Sequence, residues 1–348
     1  MKNRKREICT SGSVRDEDGQ PPHLLGRRKF LHLAAGAAAL SAVSRIARAQ
    51  TYPSRPVRIV VPFAPGGPTD TFGRLMAQRL SEQMGKQFYV ENIPGAGGNI
   101  GIGRVAKATA DGSTIIVVAN SYVVNPSLFD KLPYDPLKDF DPITCAVTTP
   151  MVLAVHPSLP TNSVQDLVAL AKANPGKYSF ASGGVGSPGH LVGAQLRVSH
   201  GVDLVHVPFG SAGLAIGSAI GGHTPISIVA PVATVPQVKE GKLRALAVFG
   251  GTRLSTLPKV PTMAEAGYPD IRGENWFGVL IPAGASKEII ALLHRQTVEM
   301  MRSPDIMERI AALGFGTVGS TPEEFGRQIA FEIEKWGKVV RAANIKAE

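Results

Sequence analysis

The sequence has little of three features that mark common functional classes: aromatic residues, cysteines and long apolar runs. Aromatic residues make up 6% of the 348 residues, and no long run of Lys and Arg occurs beyond residue 49. The basic stripe with interleaved stacking groups that single-strand nucleic-acid binders use is therefore missing, despite a formal net charge of +10. No stretch reaches the roughly 18 consecutive apolar residues of a membrane-spanning helix. These absences argue against nucleic acid as a partner and against a membrane-spanning chain.

Cysteine and histidine form no recognisable metal-binding or catalytic pattern. Cys9 lies near the N-terminus, and Cys145 sits between Thr144 and Ala146 in an apolar stretch, which predicts a buried, inert thiol and no internal disulfide. No histidines stand at an H-x-x-x-H or similar metal-binding spacing, and no G-x-S-x-G nucleophile elbow occurs. We predict no bound metal, no cofactor and no catalytic residue.

The first 49 residues have the pattern of an export signal. Arg27-Arg28-Lys29-Phe30-Leu31 precedes the Ala-rich apolar run Leu31–Val43, and Ala47-Arg48-Ala49 follows as a small-x-small cleavage signal. The paired arginines indicate the twin-arginine route. We predict cleavage near Ala49 and Gln50 and a periplasmic protein without a lipid anchor, since no cysteine directly follows the apolar run. An amphipathic N-terminal helix is the alternative interpretation.

Beyond the signal, short apolar runs alternate with helical periodicity, which predicts an α/β fold with mainly parallel strands. At roughly 100–200 residues per domain, the length favours two domains. Two passages look like crossings between lobes, Asp139–Val155 and the stretch that leads from Leu243–Val248 into Gly250-Gly251. We predict a first lobe of residues 50–149 and 247–348 and a second lobe of residues 150–246.

The predicted strands and helices follow from period-2 and period-3.6 patterns. Thr69-Asp70 and Ser163 with Asp166 are helix start signals, and Thr321-Pro322-Glu323-Glu324 has the form of a capping box. The strands are predicted at Val57–Phe63, Phe88–Glu91, Thr114–Ala119, Met151–Val155, Tyr178–Ala181, Leu204–Val207, Ile226–Val229 and Leu243–Val248.

Three glycine-rich turns each follow a predicted strand and precede a predicted helix. They span Pro62–Asp70, Asn92–Asn99 and Ala181–His190. The first N–H groups of a helix lack an internal partner and the helix dipole favours negative charge there, while glycine lets the backbone approach a ligand closely. Three such turns in one cleft would hold an anion on backbone amides. Each turn taken singly is also consistent with an ordinary strand–helix joint.

Two other functions compete for the third turn. Gly184-Val185-Gly186-Ser187-Pro188-Gly189 is a literal G-x-G-x-x-G, and Asp203 lies 19 residues after Gly184, as in a dinucleotide site. However, Asp203 precedes the next strand rather than ending it. Ser182 and Ser187 beside His190 could also form a nucleophile and base of an exported enzyme. Capping serines next to a histidine in a helix first turn are more typical of a ligand contact or a surface group.

Seven motifs are distributed over the chain beyond residue 51. They are the run Tyr52–Gly67, Pro94-Gly95-Ala96-Gly97-Gly98-Asn99-Ile100-Gly101, Leu132-Pro133-Tyr134-Asp135-Pro136, Val205-His206-Val207-Pro208-Phe209, Gly241–Val248, Val260–Gly267 and Gly319–Phe325. Together they resemble the Bug family, the substrate-binding proteins of tripartite tricarboxylate transporters. The resemblance covers essentially all of residues 51–348.

The resemblance implies a periplasmic type II solute-binding fold, with two α/β lobes joined by two crossings and a small carboxylate held between them. It also implies that the protein is not an enzyme, that it is a monomer, and that its partners are the membrane subunits of a tripartite transporter; a carboxylate sensor without transport stays open. The ligand contacts it implies are Phe63, Ala64, Pro65, Gly66, Gly67, Thr69 and Asp70; Gly95, Ala96, Gly97 and Gly98; Ser182, Gly186, Ser187 and His190; and Phe209 and Pro231 as wall residues.

The chain departs from the family pattern at three positions. Pro68 stands where a third glycine is usual, Gly210 replaces a Lys or Arg, and Pro225 lies where an acidic residue is usual. These changes bear on which carboxylate is bound rather than on the fold.

Overall fold

The computed structural model describes residues 52–346, so the predicted export signal and its cleavage site lie outside the described residues. Eleven strands in this part of the chain form two sheets flanked by helices. The strands are β1 (Val57–Val61), β2 (Phe88–Asn92), β3 (Thr114–Ala119), β4 (Phe140–Pro150), β5 (Val152–Val155), β6 (Ser179–Ser182), β7 (Val205–Pro208), β8 (Ile226–Val229), β9 (Arg244–Val248), β10 (Glu274–Pro282) and β11 (Gly316–Thr317).

The first sheet has six strands in the order β11-β4-β10-β3-β1-β2, and the second has five in the order β7-β6-β8-β5-β9. Parallel pairs join β1 to β2 and β3 in the first sheet, and β6 to β7 and β8 in the second. The pairs made by β4, β5 and β10 are antiparallel. The predicted two-lobed α/β fold is confirmed, but mainly parallel sheets are corrected to mixed ones. The reason is that β4, β5 and β10 adjoin the crossings. Within each sheet, β5 and β10 are antiparallel to the neighbouring strands with which they pair.

The crossings between the sheets lie where three stretches of backbone meet. Met151 follows β4 directly and precedes β5, which makes it the first crossing. Met151 N–H donates to Gly273 O, Gly273 N–H to Phe249 O, and Phe249 N–H to Met151 O, at 3.2, 3.1 and 2.9 Å. These three hydrogen bonds close a ring that ties the three stretches together. The chain enters β10 only after Gly273, so the return to the first sheet lies there and not directly after Val248.

Residues 251–271 pack on elements of the second sheet before that return. Thr262 forms a parallel bridge to Val248 at the edge of β9, and Gln165 Nε2 donates to Ala266 O. Gln195 Nε2 likewise donates to Asp270 O. The boundary predicted between residues 246 and 247 assigns residues 251–271 to the first lobe, although they contact elements of the second sheet.

Ten α-helices occur within residues 52–346, with a single 3-10 turn at Ala96–Gly98. The predicted capping box at Thr321 is present, and the predicted helix start at Ser163 is a capping box too: the hydroxyls of Ser163 and Thr321 accept from the amides of Asp166 and Glu324, whose carboxylates accept in return. The helices are α1 (Pro68–Met84), α2 (Asn99–Val105), α3 (Ser121–Leu128), α4 (Val164–Ala173), α5 (Pro188–His200), α6 (Ala212–Ile220), α7 (Pro231–Lys239), α8 (Lys287–Met301), α9 (Pro304–Ala312) and α10 (Pro322–Ala342).

The long helix α10 spans the two halves of the molecule. It packs on β4 and on α3, where its Gly337 lies beside Ser127, and it also contacts α5 beside the second sheet. Phe325, Ile329, Trp336 and Val340 are buried along one face of it. Cys145 is buried in β4, and burial raises the pKa of its thiol to about 12, so it stays protonated. Among residues 52–346, no helix combines the length and the apolar content that crossing a bilayer requires.

Candidate ligand-binding site

All three glycine-rich turns lie at the edges by which the two sheets face each other. In the first sheet, the carboxyl end of β4 leads through Met151 into β5, and Phe277 of β10 pairs with Ala119 at the carboxyl end of β3. In the second sheet, Val152 at the start of β5 pairs with Val229 at the carboxyl end of β8. The crossings therefore adjoin the carboxyl ends of the parallel strands in both sheets. Open α/β sheets bind ligands at this edge.

The first turn (Phe63–Asp70) is held by a buried carboxylate. Asp70 Oδ2 accepts from Gly66 N–H and from Arg74 Nε, each at 2.9 Å, and Asp70 Oδ1 accepts from Asn92 Nδ2 at 2.8 Å. Asn92 also donates to Phe63 O at 3.1 Å. Burial alone would raise the pKa of Asp70, but the hydrogen bonds from Arg74, Gly66 and Asn92 outweigh it and hold the pKa below its usual value. The Asp70 carboxylate thus supports the turn, with its oxygens already engaged.

The second turn (Gly95–Gly98) has four residues in succession with positive φ, from 126° at Gly95 to 98° at Gly98. The non-glycine among them, Ala96, has φ 49°. A buried network behind the turn fixes this conformation. Asn125 Nδ2 donates to Gly97 O at 3.0 Å and to Asn99 Oδ1 at 2.7 Å, and Tyr134 donates its hydroxyl to the same Asn99 oxygen at 2.9 Å.

The third turn (Ser182–His190) is bonded to itself and to two histidines. Ser182 is fully buried, and its hydroxyl oxygen accepts from Gly184 N–H at 3.3 Å and from the Ser187 hydroxyl at 3.2 Å. Gly186 N–H donates to His190 Nδ1 at 3.1 Å. The Ser187 hydroxyl accepts from His190 N–H as the N-cap of α5. Of these residues, sequence reasoning nominated all but Gly184 as ligand contacts.

Helix α3 is a part of the site that sequence reasoning missed. It begins directly after β3 at the same edge, and its Asn125 holds the second turn. At its other end, Leu128 packs against Gly186 of the third turn, where an added Cβ would lie 2.9 Å from Leu128 Cδ1. The hydroxyl of Ser121 at its first residue is buried and has no hydrogen-bond partner within residues 52–346. The available signal was the polar pair Asn120-Ser121 after an apolar strand.

The two predicted wall residues lie at the same edge of the second sheet but in different surroundings. Phe209 follows β7 and donates its N–H to Ser182 O at 3.1 Å, which places it beside the third turn. Pro231 begins α7 after β8 and lines a cavity of about 340 Å³ together with Gly250–Thr256 and Gly314–Gly316. Pro231 therefore borders the crossing region as well as the carboxyl edge.

Formal charge is scarce around these turns. No Asp, Glu, Lys or Arg occurs from Val205 to Val238, from Asn92 to Gly103 or from Ala181 to Leu196. The first turn contributes only Asp70, which is paired with Arg74. An anion in this region would thus be held by amides and helix dipoles rather than by a cation.

Each turn keeps backbone N–H groups that donate to no protein acceptor. Within the described chain these include the amides of Gly67 and Thr69, of Ala96 and Gly97, and of Gly183 and Val185. Hydrogen bonds from such donors to an ionised group are worth about 1.5–3 kcal/mol each. Three or four of them are enough to hold a small carboxylate.

The Ser182 hydroxyl and the His190 ring are not paired as a nucleophile and its base. Ser182 Oγ lies 2.7 Å from His206 Nε2 rather than beside His190, but Ser182 has no exposed surface for a substrate to reach. Burial also lowers the pKa of His206 to about 3, which makes it a weak base. Among the described residues, no group of three His, Cys, Asp or Glu side chains is placed to hold a metal ion.

A steric prediction tests how the third turn is seated. An alanine at Gly189 would push its Cβ into the carbonyl oxygen of Ile228 in β8, whereas Gly183 has open space and no positive φ. We expect Gly189→Ala to lower the free energy of unfolding by about 1–3 kcal/mol through overpacking. Gly183→Ala, the matched control in the same turn, should stay within about 0.5 kcal/mol of the wild type. Urea unfolding of the two variants measures the difference, and equal stabilities would contradict this packing.

Known proteins of one family match the chain over most of its length. Residues 72–345 match the family described as "Tripartite tricarboxylate transporter family receptor". Protein BugT of Bordetella pertussis is 37% identical over 300 residues, which cover 86% of this chain and 92% of that protein. These matches confirm the resemblance seen in the motifs.

Two solved structures of similar proteins carry carboxylates. R. palustris Rpa4515 with adipate is 33% identical, with a TM-score of 0.71 over 85% of this chain and all of that one. MatC from Rhodopseudomonas palustris with bound malate is 31% identical, with a TM-score of 0.67 over 83% of this chain and all of that one. Adipate and malate are a six-carbon and a four-carbon dicarboxylate.

Proposed function

Because the chain belongs to the tripartite tricarboxylate transporter receptor family, whose members are solute-binding proteins, we propose that it captures a small carboxylate between its two lobes. The observation that carries this proposal is the facing arrangement of the turns. Free amides at the carboxyl edges of both sheets support an anion held from two sides, since the turns themselves contain no Lys or Arg. The dicarboxylates in the two similar structures agree with such a ligand.

We place the ligand contacts on the backbone of the three turns and on the Ser121 hydroxyl. Ser121 joins this set because a buried hydroxyl without a partner calls for one, and a ligand carboxylate at this edge supplies it. Phe209 and Pro231 form the walls beside the third turn and the crossing. The carboxylate of Asp70 supports the first turn instead of touching the ligand.

The proposed cellular role follows the family. The chain is exported by its twin-arginine signal, acts as a monomer in the periplasm, and closes on its ligand by a hinge movement about the crossings. The closed form then delivers the carboxylate to the membrane subunits of a tripartite transporter. It performs no catalysis and needs no cofactor.

Calorimetry on the mature protein tests the ligand class. The panel contains acetate, malate, adipate and citrate at pH 7.5, and adipamide serves as the uncharged control of the same length as adipate. We expect at least one carboxylate to bind with a Kd in about the micromolar range. The entropic cost of association offsets part of the free energy that the amide hydrogen bonds contribute. Adipamide should not bind. Silence across all four acids, or equal binding of adipamide and adipate, would refute the proposal.

A further inference from the structure

Two histidines behind the third turn are stacked on each other. His190 lies in the first turn of α5, and His206 lies in β7, where it pairs with Phe180 of β6. The ring centroids of the two histidines are 3.7 Å apart, and the ring planes are within 6° of parallel. The Phe180 ring also lies beside the His206 ring, at 4.9 Å between centroids and with the planes tilted by 36°. His206 is thus stacked on His190 and contacts a tilted ring as well.

Each histidine also holds one atom of the third turn. His190 Nδ1 accepts the Gly186 amide at 3.1 Å, which requires that this nitrogen carries no proton. His206 Nε2 lies 2.7 Å from Ser182 Oγ, the same oxygen that accepts from Gly184 N–H and from Ser187. The pair is therefore bonded to both the start and the middle of the turn.

The surroundings favour neutral rings. Burial lowers the pKa of His190 to about 4, and burial together with the neighbouring His190 lowers the pKa of His206 to about 3. The charged groups that face the pair are Arg197 of α5 and Asp203 of the loop before β7, which line a cavity of about 250 Å³ with both histidines. The C-terminal segment contributes only the uncharged Ala343 and Ile345 to this cavity. Arg197 and Asp203 are 3.9 Å apart, of opposite charge and exposed to solvent.

We propose that His190 and His206 form a neutral positioning pair that fixes the third turn in its binding conformation, and that they do not touch the ligand. The inference rests on the proposed function, since the turn that they hold is part of the proposed site. Protonation of His190 would set a donor against the Gly186 N–H and would place a cation on the stacked His206 ring. The turn would then lose its support, and ligand affinity would fall in acid.

Matched substitutions separate positioning from direct contact. His190→Asn keeps an oxygen near the Nδ1 position that can accept the Gly186 amide, whereas His190→Ala removes the acceptor. We expect adipate affinity at pH 7.5 to fall about 10-fold in His190→Ala and to stay within about threefold of the wild type in His190→Asn. Hydrogen–deuterium exchange of the Gly183–Ser187 segment should accelerate about 10-fold in the alanine variant alone. The exposed His223→Asn is the control and should change neither readout.

For His206 the corresponding pair is His206→Gln, which can reach Ser182 with its terminal amide, and His206→Leu, which cannot. The glutamine variant should retain slow exchange of the turn, and the leucine variant should lose it. If His190→Asn lost as much affinity as His190→Ala with unchanged exchange, His190 would be a ligand contact and the proposal would be overturned. Unchanged affinity and exchange in both disruptive variants would overturn it as well.

The sign of the pH effect follows from the lowered pKa values. An unfolded histidine takes up its proton near pH 6.5, but the folded pair resists protonation until about pH 4, so acid shifts the balance towards the unfolded chain between those values. The Tm of the ligand-free protein should therefore fall more between pH 7 and pH 4 in the wild type than in His190→Asn/His206→Gln. Equal falls would overturn the neutral pair. If no carboxylate binds the wild type, the proposed function fails, while the exchange and Tm results still decide the role of the pair.

Discussion

Gly66→Asp should abolish high-affinity carboxylate binding while the protein stays folded. Gly66 has φ 85° and open space around its Cβ position, so a side chain there extends into the region where the ligand charge is proposed to lie. A like charge about 4 Å away costs about 4 kcal/mol near a protein surface. We therefore expect the Kd for adipate to rise by about 100-fold or more in calorimetry.

Gly66→Asn is the matched control for this variant. Asparagine tolerates positive φ better than most residues and has the shape of aspartate without its charge. It should keep affinity within about 10-fold of the wild type, since only modest backbone strain and steric effects remain. Equal losses in both variants would show that shape rather than charge governs the position. Unchanged affinity in Gly66→Asp would remove the first turn from the site.

Asp70→Ala should produce the largest loss of stability among the variants considered. It leaves the Gly66 amide and the Asn92 side chain without their acceptor and frees Arg74 from its partner. Because these donors lose their acceptor, the free energy of unfolding should fall by about 3 kcal/mol. This value already counts Arg74 for little, since it is partly exposed. The corresponding fall in Tm is about 6–10 °C. Adipate binding should weaken too, because Gly66 and Phe63 lose their anchor.

Asp305→Ala provides the comparison. Asp305 of α9 is exposed and pairs with Arg79 of α1, the helix that also contains Asp70. That loss should stay below about 1 kcal/mol. If Asp70→Ala unfolded at the same temperature as Asp305→Ala, the support of the first turn would not depend on the buried carboxylate. The pKa of Asp70 is lowered in the fold, so its contribution is present above the usual carboxyl pKa and is lost as the pH falls through the lowered value.

The sequence predicts the local features of this molecule better than its long-range contacts. Glycine-rich turns and capping boxes are visible because each depends on residues a few positions apart, as at Ser163 and Asp166. The first crossing was predicted within Asp139–Val155, and Met151 lies in that passage, but the length of β4 was not foreseen there. Likewise, β10 was not identified as a strand. Strand direction could not be inferred either, because the antiparallel pairs join residues distant in sequence, such as Phe277 and Ala119.

The same limit applies to the site. Sequence reasoning placed His190 in the third turn but did not link it to His206, because His206 reaches it only through the pairing of β6 with β7. Similarly, nothing in the local pattern joins Leu128 to Gly186, since these residues come from elements beside different sheets. Turn chemistry is local, whereas the supports behind each turn come from distant parts of the chain.

The hydrogen-bonded ring of Met151, Phe249 and Gly273 has a consequence for the kinetics of ligand dissociation. Each of the three stretches is hydrogen-bonded to the other two, so none can slide lengthwise without breaking two hydrogen bonds. Bending about the ring breaks none of them and is therefore the motion of lowest energy. With one hinge motion, the amides of the turns beside the first sheet and those beside the second sheet separate at the same time. Release should then follow one exponential in stopped-flow measurements, with no half-detached species accumulating along the way.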